Sequence, residues 1–257
     1  MERTATPLPA TEAPARPAHR WSTRDLLVMS ISLEALTSVG TLIVGGVAIA
    51  LGAGLDIVQH PTPAFTIALT TLQIAMICGV VFGWARRRGR RPADLGLSGW
   101  SWRWAVIAVV VAILVRLIAI GLGALVSALG YQLTNPQLAF LLLPNLSWPL
   151  VAVMLLLFGI GVPFAEESFF RGVLYTWLRE RWGVALGVIV SAVVFGVVHI
   201  APGVIIATIP LGLAAALVYE RSRTLWAPVV LHATFNLGGL LFLYITQALG
   251  INLSGMP

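Results

Sequence analysis

Three polar patterns interrupt the apolar stretches of this 257-residue chain: Glu166-Glu167-x-x-x-Arg171, Phe195-x-x-x-His199 and His232-x-x-x-Asn236. A carboxylate and an imidazole can together activate water, while an asparagine amide and a second imidazole can donate hydrogen bonds to a developing oxyanion. The same Glu, His, His set could instead hold a zinc ion with one position left open for water. Residue types alone leave both chemistries open. A single-helix zinc site would need His-Glu-x-x-His and an aspartyl pair would need Gly-x-Gly-Asp, and neither occurs. The three aspartates, Asp25, Asp56 and Asp94, are expected outside the spans.

The elements that must carry these groups are membrane helices. Hydrophobic residues make up 58% of the chain, charged residues only 10%, and the mean hydropathy is +0.93. Soluble domains carry about 25% charged residues, so this composition is that of an integral membrane protein. Apolar runs cover 26–55, 64–85, 104–130, 148–182, 184–201, 204–219 and 225–250. The fold class expected is all-α, a polytopic transmembrane helix bundle of about seven spans. The apolar 138–143 segment is too short to cross. Residues 1–24, rich in Pro, Thr, Ala and Arg, are expected to form a disordered cytoplasmic tail. A single membrane domain follows over 25–250, with a catalytic core at 145–240 and a short tail at 251–257. A kink is expected at Pro163.

All sixteen basic residues are arginine, and fourteen of them flank the apolar runs on alternate sides. By the positive-inside rule the N-terminus is cytoplasmic. The net charge of +6 is thereby explained as a topology signal, and no nucleic-acid partner is expected. The absence of Lys beside abundant Ala, Gly, Pro and Arg fits a GC-rich bacterial genome, hence a bacterial plasma membrane. Cys78 stands alone in an apolar run and reads as a small buried hydrophobe.

Helical rise then sets the depth of each polar group. Counted from the arginine-bearing ends, Glu166, Arg171, His199, His232 and Asn236 all fall roughly 12 to 22 Å into the bundle. Residues four apart share a helix face, which pairs Glu167 with Arg171, Phe195 with His199, and His232 with Asn236. Glu166 is rotated about 100° from Glu167 and is expected to face elsewhere, free for chemistry. Ionisable groups at membrane depth cost roughly 3 kcal/mol each by insertion scales, so a cluster of them reads as a functional site. Glu34 and Arg116, at similar depth in the first and third spans, are expected to form a structural ion pair. Ser168 has no adjacent base and is not expected to be a nucleophile. Trp21, Trp100, Trp102, Trp104, Trp148, Trp182 and Trp226, near span ends, read as interfacial anchors.

Taken in order, the three motifs resemble those of the CPBP family, the CAAX prenyl endopeptidase and bacteriocin-processing intramembrane proteases, also called Abi. The resemblance covers roughly residues 145–240. It implies an intramembrane endopeptidase acting on a membrane-associated protein or peptide within the lipid bilayer. Glu166 and His199 would activate the attacking water, and His232 and Asn236 would stabilise the oxyanion. Glu167, Arg171 and Phe195 would support them. The family includes proteins regarded as metalloproteases, so a divalent metal such as zinc is kept open, its ligands then being Glu166, His199 and His232. Two other readings compete: a non-proteolytic immunity or scaffold protein that retains the polar cluster, and a small proton-coupled transporter, which the lack of an internal repeat disfavours.

Overall fold

The computed structural model describes residues 21–133, 135–141, 143 and 146–251. Among them the helices are α1 (Thr23–Ala50), α2 (Pro63–Arg87), α3 (Trp102–Ala128), the one-turn α4 (Leu138–Leu141), α5 (Trp148–Leu156), α6 (Val162–Phe169), α7 (Thr176–Val197), α8 (Pro202–Ser222) and α9 (Trp226–Ala248). A 3-10 turn, Pro92–Leu95, precedes α3. Six helical runs are long and apolar enough to cross a membrane, one of them being the 50-residue Trp148–Val197. That run holds α5, α6 and α7 joined by π-helical turns at Leu157–Gly161 and Phe170–Tyr175. It reverses at Gly183, whose φ of 79° and ψ of 178° are open only to glycine. The reversal is confirmed by Gly187, where an added Cβ would lie 3.1 Å from the Arg179 backbone nitrogen. In a straight helix these two residues would be about 12 Å apart along the axis. Besides the one-turn α4, the described residues therefore form seven helical rods, the count and the break expected from the sequence.

Helix starts follow local chemistry. Ser22 and Asp25 form a reciprocal capping box at α1, and Thr62 caps α2 ahead of Pro63. The helices meet through small residues. Ala105, Ala108, Ala112 and Ala119 line the buried face of α3 against α8 and α9. An added Cβ at Gly212 of α8 would stand 2.9 Å from the Ala192 Cα of α7. Small contacts of this kind suit a membrane, where burying apolar surface drives no association. The outer face of α3, with Val106, Val110, Ile113, Leu117 and Ile118, is exposed and apolar, as a lipid-facing surface must be.

The arginine-bearing ends gather at one end of the bundle. Arg88 Nε donates to Asp25 Oδ1 at 2.6 Å, Arg181 Nη2 to the Trp21 carbonyl at 3.1 Å, and Arg179 grips Glu220 through two bonds of 2.6 and 2.9 Å. The Leu225 amide donates to the Gly96 carbonyl at 2.8 Å and ties the start of α9 to the connection before α3.

Three expectations change. Trp21 is no interfacial anchor: it is 1% exposed and its Nε1–H donates to the Gly172 carbonyl at 2.8 Å. Of the tail expected at 1–24, residues 1–20 lie outside the described residues, and α1 starts at Thr23. Asp25 stands within the first turn of α1, buried, and accepts from Trp84 as well as Arg88. Glu34 and Arg116 do not pair: Glu34 is exposed on α1, while the Arg116 guanidinium stacks 3.7 Å over the Phe235 ring and donates to the Phe235 carbonyl. The helices packed on α3 are α8 and α9, whereas α1 lies against α2, so the two side chains belong to different interfaces. Gly183→Ala should destabilise the α7 reversal by about 1–3 kcal/mol, read as a lower thermal unfolding midpoint in detergent.

Candidate active site

Pro163 sets the local backbone on which the site is built. The Val162 amide reaches back five residues to the Leu157 carbonyl. The same register would pair the Phe158 carbonyl with the nitrogen of Pro163, which carries no hydrogen. The Phe158 carbonyl instead accepts from Asn236 Nδ2 of α9 at 3.0 Å. The kink expected at Pro163 is thus a π turn that joins α9 to this rod. An added Cβ at Gly159 would fall 2.3 Å from Leu237, so α9 can approach only because that position is glycine. In the second π turn the Arg171 carbonyl is met by Thr176 Oγ1 at 2.9 Å.

Between the two turns lies the Glu pair. Glu167, wholly buried, places Oε1 2.8 Å from Arg171 Nη1 and 2.8 Å from His232 Nδ1. Arg171, equally buried, donates from Nη2 to the Gly212 carbonyl at 3.0 Å and lies 4.8 Å over the Phe195 ring. The expected pair of Glu167 and Arg171 is present, extended to a third group. Glu167 Oε2 and Arg171 Nε are buried without a hydrogen-bond partner among the described residues.

Glu166 does not face away from this cluster as expected. Its side chain is 15% exposed and its Oε2 stands 4.0 Å from His232 Nε2. The adjacent carboxylates therefore flank the two nitrogens of one imidazole. A carboxylate accepts, so Nδ1 of His232 carries the proton donated to Glu167, and Nε2 is the atom presented to Glu166. A separation of 4.0 Å is too long for a direct hydrogen bond and suits a bridged one.

His199 is oriented in the same way by a different acceptor. Its Nδ1 lies 2.7 Å from the Phe195 carbonyl, which can only accept, so neutral His199 keeps a free lone pair on Nε2. The helix stops just beyond it, where Ile200 holds a φ of 64°, an outlier for a β-branched residue. Phe195, 0% exposed, packs edge-on against both histidine rings, at 5.2 Å to His199 and 5.6 Å to His232. It is the wall between the motifs and also touches Phe170 at 4.9 Å.

A zinc centre would need three donors such as Glu166, His199 and His232 around one point. Among the described residues no group of three or more His, Cys, Asp or Glu is placed to hold a metal ion. The residues present do not fit a preformed zinc centre, and no step is routed through one. Ser168 is buried and its hydroxyl donates to the Phe164 carbonyl at 2.7 Å, a back-bond within its own helix. A Gly-x-Ser-Gly tetrapeptide occurs at residues 96–99, in the connection before α3 rather than in a span, with Gly96 buried and Ser98 exposed. Two participants had no side-chain signal: the carbonyls of Phe158 and Gly212. Pro163, which strips a donor from its helix, is a hint to the first; no residue of the sequence points to the second.

Fold and site together define a polytopic membrane protein with a carboxylate, imidazole and guanidinium cluster sealed in its helix bundle. Residues 146–238, just over a third of the chain, match the family model of the Type II CAAX prenyl endopeptidase Rce1-like proteins. That region holds all three motifs, and over it the chain is similar to proteins of this family. The chain is 25% identical over 138 residues to the Bacillus subtilis (strain 168) protein named "Putative membrane peptidase YdiL", covering 54% of either chain. It thus spans about half the length of the curated relative it matches. No solved structure matches.

Glu167→Gln or Arg171→Met should each cost about 3–5 kcal/mol of stability by leaving the other charge buried and unpaired. The Glu167→Gln/Arg171→Met double variant should lose less than the sum, measured by unfolding in detergent. Strict additivity would mean the two are not coupled.

Proposed function

We propose that the chain is an intramembrane endopeptidase of glutamate-dependent type. It would hydrolyse a peptide bond of a membrane-associated protein or peptide in a bacterial plasma membrane. The reading rests on one observation above all: His232 is held at Nδ1 by Glu167 and turns Nε2 toward Glu166 at 4.0 Å, inside the family match.

In the proposed reaction a water between Glu166 and the scissile carbonyl gives a proton to Glu166 as its oxygen bonds to the carbonyl carbon. His199, with its free Nε2, assists that removal. The oxyanion accepts from Asn236 Nδ2, whose second hydrogen is not used by Phe158, and from His232 Nε2. Donation by Nε2 requires the doubly protonated ring, whose charge would face Glu167 on one side and Glu166 on the other. Collapse of the intermediate breaks the C–N bond, and the departing nitrogen takes the proton carried by Glu166 or His199. Arg171 and Phe195 position the acid and the rings without touching substrate.

Glu166→Gln should lower turnover by about 10²–10⁴-fold while the unfolding midpoint stays near wild type. The measurement is comparative membrane proteomics of a null strain complemented with wild type or variant, scored by new peptide termini. His199→Ala should behave alike. Wild-type cleavage by both variants would defeat the reading.

A further inference from the structure

Arg116 is a cation in the middle of α3 for which the described residues supply no anion. Counted from Trp102 it lies about 20 Å along the helix. Among the described residues it meets no carboxylate; its partners are the Phe235 ring and the Phe235 carbonyl, both on α9. Its Nε is buried with no acceptor, and Nη1 has none among the described residues. A guanidinium kept at membrane depth on a ring face and one carbonyl retains most of its donors for another group.

Its location gives that group a place. Gly239 leaves the slot that the guanidinium fills, since an added Cβ would be 2.8 Å from Nη2 and 3.2 Å from Cζ. On the α9 wheel Gly239, His232 and Asn236 fall within about 60° of one another. Arg116 therefore seats over the face that carries the two groups assigned to the oxyanion, about one turn beyond Asn236. An extended peptide advances about 3.3 Å per residue, so a chain whose scissile carbonyl lay at His232 and Asn236 would bring a group a few residues away to this slot.

We propose that Arg116 is a specificity residue that binds a carboxylate of the substrate peptide. The assignment rests on the endopeptidase reading of the neighbouring site. Guanidinium and carboxylate match in geometry and charge, and a membrane interior strengthens the contact. The carboxylate is either the C-terminus of the substrate or an acidic side chain near the cleaved bond.

The test is photo-crosslinking in nanodiscs with three N-acylated hydrophobic peptides that carry a diazirine. One ends in a free carboxylate, one in an amide, and one in an amide with an internal Glu. Wild type should be labelled by a carboxylate probe at a concentration about tenfold or more below that needed for the neutral amide. The better of the two carboxylate probes identifies the source. Arg116→Gln should label equally with all three, and Arg116→Lys should keep part of the preference. Gly239→Ala, which keeps the charge but crowds the slot, should weaken the preference and guards against misfolding of the Arg116 variants. Equal labelling of wild type by all probes, or a preference that survives Arg116→Gln, would overturn the proposal. A Glu166→Gln protein that still cleaved substrate would count instead against the endopeptidase reading, leaving the labelling result to be judged by itself.

Discussion

One buried carboxylate organises the bundle. Glu167 has no contact with water, so its charge can persist only if protein groups replace solvation. Arg171 on the same rod supplies the countercharge, and its second nitrogen fixes α8 through the Gly212 carbonyl. His232 brings in α9. Phe195 of α7 packs under the guanidinium and beside both imidazoles. Helices that follow one another in sequence by loops are thus brought into register by a charge that must be satisfied. In a membrane this matters more than apolar burial, because lipid competes equally for every leucine.

The backbone around that charge is irregular for a related reason. Non-helical or strained backbone at membrane depth is tolerated only where protein or a cavity meets the freed groups. Pro163 frees the Phe158 carbonyl, and Asn236 meets it; the second π turn frees the Arg171 carbonyl, and Thr176 meets it. Each π turn changes which way the following residues point, and the Glu pair sits between the two. A regular helix with Glu167 aimed at Arg171 would turn Glu166 about 100° away. Both carboxylates lie in the α-helical α6, and they nonetheless reach one imidazole ring because each approaches a different ring nitrogen.

That difference marks what a sequence can and cannot convey. Helix number, the break at residue 183 and the pairing of Glu167 with Arg171 follow from hydropathy, glycine and a four-residue spacing, all properties of a single helix. The approach of Glu166 to His232 depends on how α9 packs against α6, which no spacing within a single helix conveys. Arg116 was assigned to Glu34 by depth alone, and depth says nothing about which helices are neighbours. Trp21 looked like an interfacial residue because it lies at a span end, yet its indole finds a carbonyl on another rod. Backbone acceptors such as Gly212 and Phe158 leave no trace in a pattern of side chains.

The two carboxylates are chemically alike and adjacent, so their environments must decide their roles. Glu167 has one oxygen committed to two donors and the other sealed from solvent, and any proton it took would disrupt the contacts that hold α6, α8 and α9 together. Glu166 keeps 15% of its side chain exposed and no hydrogen bond shorter than its 4.0 Å approach to His232. In the proposed reaction the base must gain and lose a proton in every cycle without dismantling its support, a condition that Glu166 meets and Glu167 does not. Exchanging the roles would require Glu166 to be desolvated and Glu167 released, a rearrangement of three helices rather than a change of rotamer. The division of labour between neighbours is therefore fixed by packing, and the shared imidazole couples them: the proton Glu167 holds on Nδ1 leaves Nε2 as the atom through which His232 addresses Glu166 and whatever lies between them.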